Sequence, residues 1–549
     1  MRLPAINTIP RNRLQVLEFR GLNKTQTCAE NEFSSMRNMS SDMYPYLKTC
    51  YRRSKELTFT ECYGVFVKNG VFYYVDGTNF KKRDGQTIAA DTVIGTVTKS
   101  EKTFVSMGAY IVIFPDKKIY NTADGTFKSL EASWEQSGNV TFENAYLTDS
   151  QVSSDSANVY IKITSSGIGS SFNVYDGVKI SGITATGLTG LNKTAVIYEK
   201  STDWILIVGF DITGTITQST GAIKVERTVP DMDYITESEN RLWGCSSANH
   251  EIYACKLGDP FNWNCFEGIS TDSYAATVGT DGDFTGAITH LGYVLFFKEE
   301  CLHKVYGSKP SQYTIITTTM RGVKMGCEKS LAIVNENLYY VSRSGVCIYQ
   351  GALPADVGKP LGDQPLSNAV AGTIGNKYYL CCEDDDSTHM YVYDESVGTW
   401  VEEDAIGVNS FFYSDNILGF RSVNDIYVIV SEDREGMPDK ELPKTTTWEA
   451  ITGPIRTTYS GKSAILTGKK RITKLALQID LHQGSYVDIS VSYDDGLYQP
   501  VKTFSSATNK TVSVMFIPHR CDHFKIKFHG GGYFALKTMT KYLENGSDD

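Results

Sequence analysis

Short apolar runs alternate with turn residues along most of this chain, at intervals that suit strands better than helices. Residues 63–77 read as two strands joined at Asn69-Gly70 and closed at Asp76-Gly77. Both dipeptides supply the positive φ that two-residue hairpins require. The theme returns at 105–127, where a turn at Asp116-Lys117-Lys118 precedes Asp124-Gly125, and again at 291–307, 332–351 and 374–400. A weaker copy lies at 417–430. Each copy is a strand ending in aromatics, a polar turn and another strand. A repeat of ~40 residues is the period of four-stranded propeller blades, and at ~40–45 residues per blade residues 57–130 and 230–450 hold about seven.

Three stretches depart from this period. Residues 1–56 sustain neither helical nor strand periodicity and predict an extended N-terminal arm, laid on a neighbour or closing the last blade. Residues 131–229 are rich in Ser, Thr and Gly and poor in charge, with short alternating strands near 159–163, 178–180, 195–198 and 204–208. They predict an inserted β-domain of sandwich size splitting the propeller. Residues 451–549 predict a C-terminal β-sandwich from strands at 472–481, 487–493, 512–517 and 524–528, with a frayed polar tail at 544–549. No helix longer than about two turns is expected. The fold class is therefore all-β: a propeller of about seven blades, an inserted β-domain and a terminal sandwich.

Composition agrees and narrows the function. The chain has 549 residues, too many for one core. It is 12% aromatic, with 33 Tyr and 25 Phe, residues that pack well on pleated surfaces. The net charge of −10 comes without a Lys/Arg block, which argues against ordinary nucleic-acid binding. No apolar run reaches the length of a membrane span, and residues 1–20 hold no apolar stretch of the secretory type. Cys245, Cys255 and Cys265 stand ten apart, a spacing that fits one cysteine per successive strand better than a zinc knuckle. The twelve cysteines read as small buried residues in a reducing cytoplasm.

Converging titratable groups are scarce. His519, Cys521 and His523 would share one face of a strand, but solvated imidazoles at a strand entry explain them better than a metal. The run Glu383 to Asp386 reads as a solvated turn, with weak Ca²⁺ binding as the sharper alternative. Ser492-Tyr-Asp-Asp-Gly-Leu-Tyr498 approximates the Asp-box hairpin of sialidases, a turn and not a catalytic element. Trp243, Trp263 and Trp400 either pack between blades or line a sugar-binding face. No catalytic, cofactor or metal residue is assigned.

The stretch 231–245, containing Asn240-Arg241-Leu242-Trp243-Gly244, and then 252–263, containing Gly258-Asp259-Pro260 and Trp263, resembles a blade of bacteriophage tail nozzle and packaged-DNA stabilisation proteins. The resemblance continues at 279–282, 291–298, 305–307, Gly326-Cys327 and 342–345, at Gly21-Leu-Asn23 and 44–53, and at 520–522 with Gly530 to Gly532. It implies a propeller that is a structural part of the virion and not an enzyme. The implied assembly is a hexameric ring of copies at the head-to-tail junction or nozzle. Its implied neighbours are adaptor or portal-proximal proteins and other tail proteins, put together in the host cytoplasm. Double-stranded DNA would be retained, then pass through without sequence-specific binding, and an acidic lumen would keep phosphates from sticking. Two alternatives stand beside it. A host-receptor or polysaccharide-binding tail protein would use the insert or the terminal sandwich. A propeller glycosidase would need two buried carboxylates near the axis.

Overall fold

The computed structural model describes residues 11–83, 90–147, 159–384, 387–414, 416–430, 440–456 and 469–545. The chain divides into two compact units, one of residues 60–325 and one of residues 1–59 with 326–549. The fold is all-β, and among the described residues the only helical pieces are 3₁₀ turns of three or four residues.

Seven four-stranded antiparallel sheets form the blades of a β-propeller. The unit of 60–325 holds four, at 62–96, 103–129, 234–277 and 284–319; the other unit holds three, at 332–356, 367–404 and 410–429. The last of these takes its fourth strand, Arg53–Thr58, from near the chain start, paired antiparallel to Asp425–Ile429. First strands of successive blades in each unit lie side by side, which marks them as the inner strands. The second strand is the most buried in every blade but the sixth, where the fourth strand, Thr399–Asp404, is buried throughout; all six residues of Arg241–Ser246 are buried, as are five of the six of Asn337–Ser342. It is covered on both faces by neighbouring blades, so it reads as a continuous apolar run and not as an alternation. Between the first and second blades Tyr73, Val75 and Phe80 meet Ile111 and Tyr120. Between the third and fourth, Trp243, Cys245 and Ile252 meet Phe284 and Phe296.

Tight turns set the register. In the six blades where both linking residues are described, exactly two residues join the first strand to the second. Asn69-Gly70, Glu239-Asn240, Leu291-Gly292 and Asn335-Glu336 have positive φ at both positions, the type I′ signature. At 108–109 and 375–376 only the leading glycine does, the type II′ signature.

The inserted domain runs between the second and third blades from Ala132–Glu135 to Lys224–Arg227. Its eight strands belong to one sheet, with Ala132–Glu135 at one edge and Ile216–Gln218 at the other, rather than to the two of a sandwich. Trp134 from the first edge and Val140 and Phe142 from near the other share one core with Ile161, Ile180 and Ile207, so the sheet curls around its own interior.

The expected arm does close the last blade, through Arg53–Thr58, but the rest of it takes a different form. Arg11–Val16 and Leu47–Thr49 pair with Phe534–Asn545, and Phe33–Arg37 pairs with Thr447–Thr452. The terminal sandwich is thus built from both chain ends: one sheet carries Lys470–Leu481, Thr508–Met515 and Phe534–Asn545, the other Thr447–Thr452, Tyr486–Tyr493, Gln499–Phe504 and Phe524–Gly531. The segment lacked a period because its hydrogen-bond partners are strands hundreds of residues away. Of the expected frayed tail, 546–549 lie outside the described residues.

Candidate functional site: two domain joints

Residues of the 231–263 stretch singled out in the sequence converge on the base of the insert. The third blade joins its third strand, Glu251–Ala254, to its fourth, Tyr274–Thr277, through residues 255–273. Arg241, buried in the second strand, ties this connection down by donating to the carbonyls of Cys255 (2.7 Å), Asp272 (2.6 Å) and Ser270 (2.9 Å). Asp272 Oδ2 accepts the backbone N–H groups of Glu267, Gly268 and Ile269 at 2.6, 2.6 and 3.1 Å. Asp259 Oδ1 accepts the N–H of Phe261 and its Oδ2 accepts Asn262 Nδ2, while Trp263 Nε1 donates to the Pro260 carbonyl.

Asn262 then reaches the insert. Its Nδ2 donates to Asp176 Oδ1 (3.0 Å), and its Oδ1 accepts the N–H of Gly177 (2.8 Å). Arg227 on the last insert strand donates to Asp176 Oδ2 (2.5 Å) and to the Leu130 carbonyl, and all three side chains are buried. A Cβ on Gly177 would fall 2.7 Å from Cys265 Sγ and 2.8 Å from the Asn264 carbonyl, so glycine permits the close approach. Outside this core Lys117 pairs with Glu131 (2.9 Å) and Asp231 (2.7 Å) and donates to the Val229 carbonyl, bracketing both chain crossings.

A second joint fixes the two-ended sandwich to the sixth blade. Beside it Arg53, where the chain passes from the sandwich into the closing strand of the seventh blade, has a buried side chain that makes two ion pairs to the sixth blade, Nη2 to Glu403 and Nε to Asp404, each 2.6 Å. Burial opposes its charge, but Asp404 and Glu403 outweigh burial and raise its pKa further. Asp42 pairs with Lys377, whose ammonium is also held above its ordinary range: burial works against it, while Tyr379, Asp42 and Glu403 favour it. Ser41 donates to Asp394 (2.7 Å), and Leu22 N–H to the Trp400 carbonyl (2.6 Å). Gly21, with φ +76°, lies where a Cβ would meet that carbonyl at 2.2 Å. His389 stands 2.9 Å from both Glu402 and Asp384, and its bond to Glu402 raises its pKa.

The residues singled out in the sequence fall elsewhere than a reactive centre. Trp243, Trp263 and Trp400 are 3%, 2% and 1% exposed, so they line no sugar-binding face. Trp243 instead packs against Tyr274 and Tyr313, and Trp400 donates to the Val357 carbonyl. Cys245 is on a strand, but Cys255 and Cys265 are in the connection, so the ten-residue spacing is not one cysteine per strand. Burial pushes the Cys255 and Cys265 thiols up to about 12, which keeps them protonated. His519, Cys521 and His523 lie outside any strand: His519 is exposed against Tyr493, Cys521 is buried, and His523 faces Asp494 and Asp495. Ser492 to Tyr498 forms a turn in which Ser492 donates to the Gly496 carbonyl and Asp494 accepts the N–H groups of Asp522 and His523. Glu383 and Asp384 end a strand, and Asp385 and Asp386 lie outside the described residues. Among the described residues no group of three or more His, Cys, Asp or Glu side chains is placed to hold a metal. Among the described residues no helix is long and apolar enough to cross a membrane.

Sequence inspection missed Asp176 and Arg227, and it singled out the stretch holding Asn262 without giving that residue a role. The available signal was the isolation of charges inside a charge-poor insert. It also missed Arg53 with Glu402 to Asp404, where three acids in a row end a strand.

No family model matches the chain, and no curated protein matches it in sequence. Among solved structures it is similar to the Dos1 propeller, at 11% identity over 69% of this chain and 94% of that one, with a TM-score of 0.30. It is also similar to PorZ, a surface component of the type-IX secretion system of Porphyromonas gingivalis, at 10% identity over 94% and 81%, with a TM-score of 0.29. An exo-β-1,3-galactanase from Phanerochaete chrysosporium aligns at 12% identity over 56% and 95%, with a TM-score of 0.21. Likenesses this distant carry no argument about function, and the strand pairings themselves define the blades.

Proposed function

We propose that this protein is a structural part of a bacteriophage tail: a rigid propeller whose copies form a ring that retains packaged DNA and lines part of its exit channel. The observation that carries the reading is the use made of the motif residues. Arg241, Asp259, Asn262 and Trp263 are all spent on building the third blade and clamping the insert to it. A part that bears load in an assembly needs its flanking domains fixed to its blades, and within each of the two units a joint of ion pairs and hydrogen bonds supports that. An enzyme of the two-carboxylate type is less well supported. Among the described residues the first strands of the seven blades carry one acid, Glu237, and it accepts the N–H of Asn240 in its own turn. In this reading the subunits meet head to tail, since a closed ring requires a heterologous interface that returns on itself.

Immunogold labelling of intact virions with an antibody raised against residues 132–227 tests this. Label concentrated at the tail or its junction with the head is expected. Virions that carry no label, while the same antibody recognises the free chain, contradict the proposal.

A further inference from the structure

The connection that anchors the insert also presents an unusual surface. Phe266 stands at its crest and is 55% exposed. On one side a cleft of about 290 Å³ separates it from the insert strand Thr194–Ser201, with Lys193, Thr194, Tyr198, Asn264 and Glu267 in its walls. On the other a second cleft, of about 270 Å³, is walled by Phe266, Ile269, Tyr274 and Pro310. The ring is a partition shared by two open clefts.

Its support is stiff. Asp272 holds the three residues after Phe266 by their N–H groups, and Arg241 holds the carbonyls of Ser270 and Asp272 from below. The Tyr198 hydroxyl donates to Glu267, and burial together with that carboxylate raises the Tyr198 pKa. An exposed phenyl ring fixed at this level of order loses little entropy on binding, which is how preorganised sites gain affinity.

The chemistry of the first cleft selects among ligands. It offers one carboxylate, one ammonium, an amide and two hydroxyls, so no excess of either charge favours a polyanion or a cation. Tyr198 and Glu267 bond to each other and Asn264 donates to Thr228, which leaves the remaining donors and acceptors of these groups for a ligand. A neutral polyhydroxylated ligand satisfies them and lays the C–H face of a sugar ring on Phe266. We infer that the paired clefts around Phe266 bind a neutral oligosaccharide that crosses the ring from one cleft to the other. This site is independent of ring assembly.

The full-length protein should be applied to a glycan array carrying neutral hexose oligosaccharides beside sialylated and sulfated ones, and the strongest neutral ligand titrated by calorimetry. The expected outcome is a signal in the neutral class, an affinity lowered by roughly tenfold or more in Phe266→Ala, and affinity retained in Phe266→Tyr. An unchanged melting temperature in Phe266→Ala would show that an exposed ring was removed without unfolding. Silence across the neutral class, a preference for the acidic glycans, or unchanged affinity in Phe266→Ala would each overturn the inference.

Discussion

The two joints solve the same mechanical problem from opposite chain geometries. The insert enters and leaves through adjacent points, at Leu130 and Val229, so chain connectivity already holds it near the third blade. Its clamp is built around one carboxylate, Asp176, shared by Arg227 and Asn262. The sandwich is assembled from residues 11–49 and 447–545, and its chain crossings to the blades are far apart in sequence. There the contacts are more widely spread: the ion pair of Asp42 and Lys377, the bond of Ser41 to Asp394 and a backbone bond onto Trp400, continued by Arg53 on the closing strand of the seventh blade, which sits between Glu403 and Asp404. The difference teaches that a domain gathered from distant segments is held by several separate contacts, whereas one delivered whole is held around a single shared carboxylate. Buried pairs contribute little net stability over apolar contacts, but losing one partner is costly, so they specify a geometry.

The largest effect should follow Arg53→Met. It strands Glu403 and Asp404 in the interior, at a cost near the top of the ~3–5 kcal/mol range for breaking a buried pair. Thermal melts should show a large fall, and hydrogen exchange should rise in 33–58 and 447–452 before it does in the insert. Asp176→Asn strands one guanidinium, which keeps its bond to Leu130, and should cost near the bottom of that range, about 3 kcal/mol. Its exchange increase should be confined to the insert and 255–273. Equal losses in the two variants, or exchange spread alike through both units, would break the comparison.

Two histidines separate the units by pH. His303, fully buried on the fourth blade between Thr280 and Thr317, has its pKa lowered to about 4, chiefly by burial and then by Lys298. The unfolded chain takes up this proton near pH 6.5 and the folded one near 4, so stability falls as pH drops through that window, by about 1.4 kcal/mol per pH unit. His389 is raised, so its contribution is fully present below its ordinary pKa and is lost as pH rises through the folded value. Acid melts of His303→Asn should lose the first dependence and keep the second. The smallest effect is a gain: Leu291 holds φ +49° in a type I′ turn, and Leu291→Asn should stabilise the 60–325 unit by about 1 kcal/mol or less, without touching either joint.

The blades were legible because their second strands are apolar runs and some of their turns, such as Asn69-Gly70, have the expected chemistry. Other turns were opaque. Glu239-Asn240 and Asn335-Glu336 place a glutamate in a left-handed conformation that glutamate rarely adopts, held by the flanking ladder together with the bonds of Asn240 N–H to Glu237 and of Asn335 to Glu395. The fate of residues 11–49 could not be read locally, since Phe33 pairs with Thr452. The motif around Arg241 was visible as a pattern, but its work was not. Asp176 and Asn262 meet only once the insert has folded against the blade, and no spacing announces that meeting. The three tryptophans were misleading for a related reason: an aromatic at a blade interface and one on a binding face look the same in sequence.

The central claim is that the propeller and its two clamped domains act as one structural element of a phage tail. Cryo-electron microscopy of virions purified from a lysate in which this chain is expressed tests it most directly. The account predicts a closed ring of six copies around the DNA channel, with Arg53 on Glu403 and Asp404, and Asp176 on Arg227 and Asn262, in every copy. A particle whose tail lacks the chain, or one in which copies sit singly with the insert detached from the third blade, would contradict it.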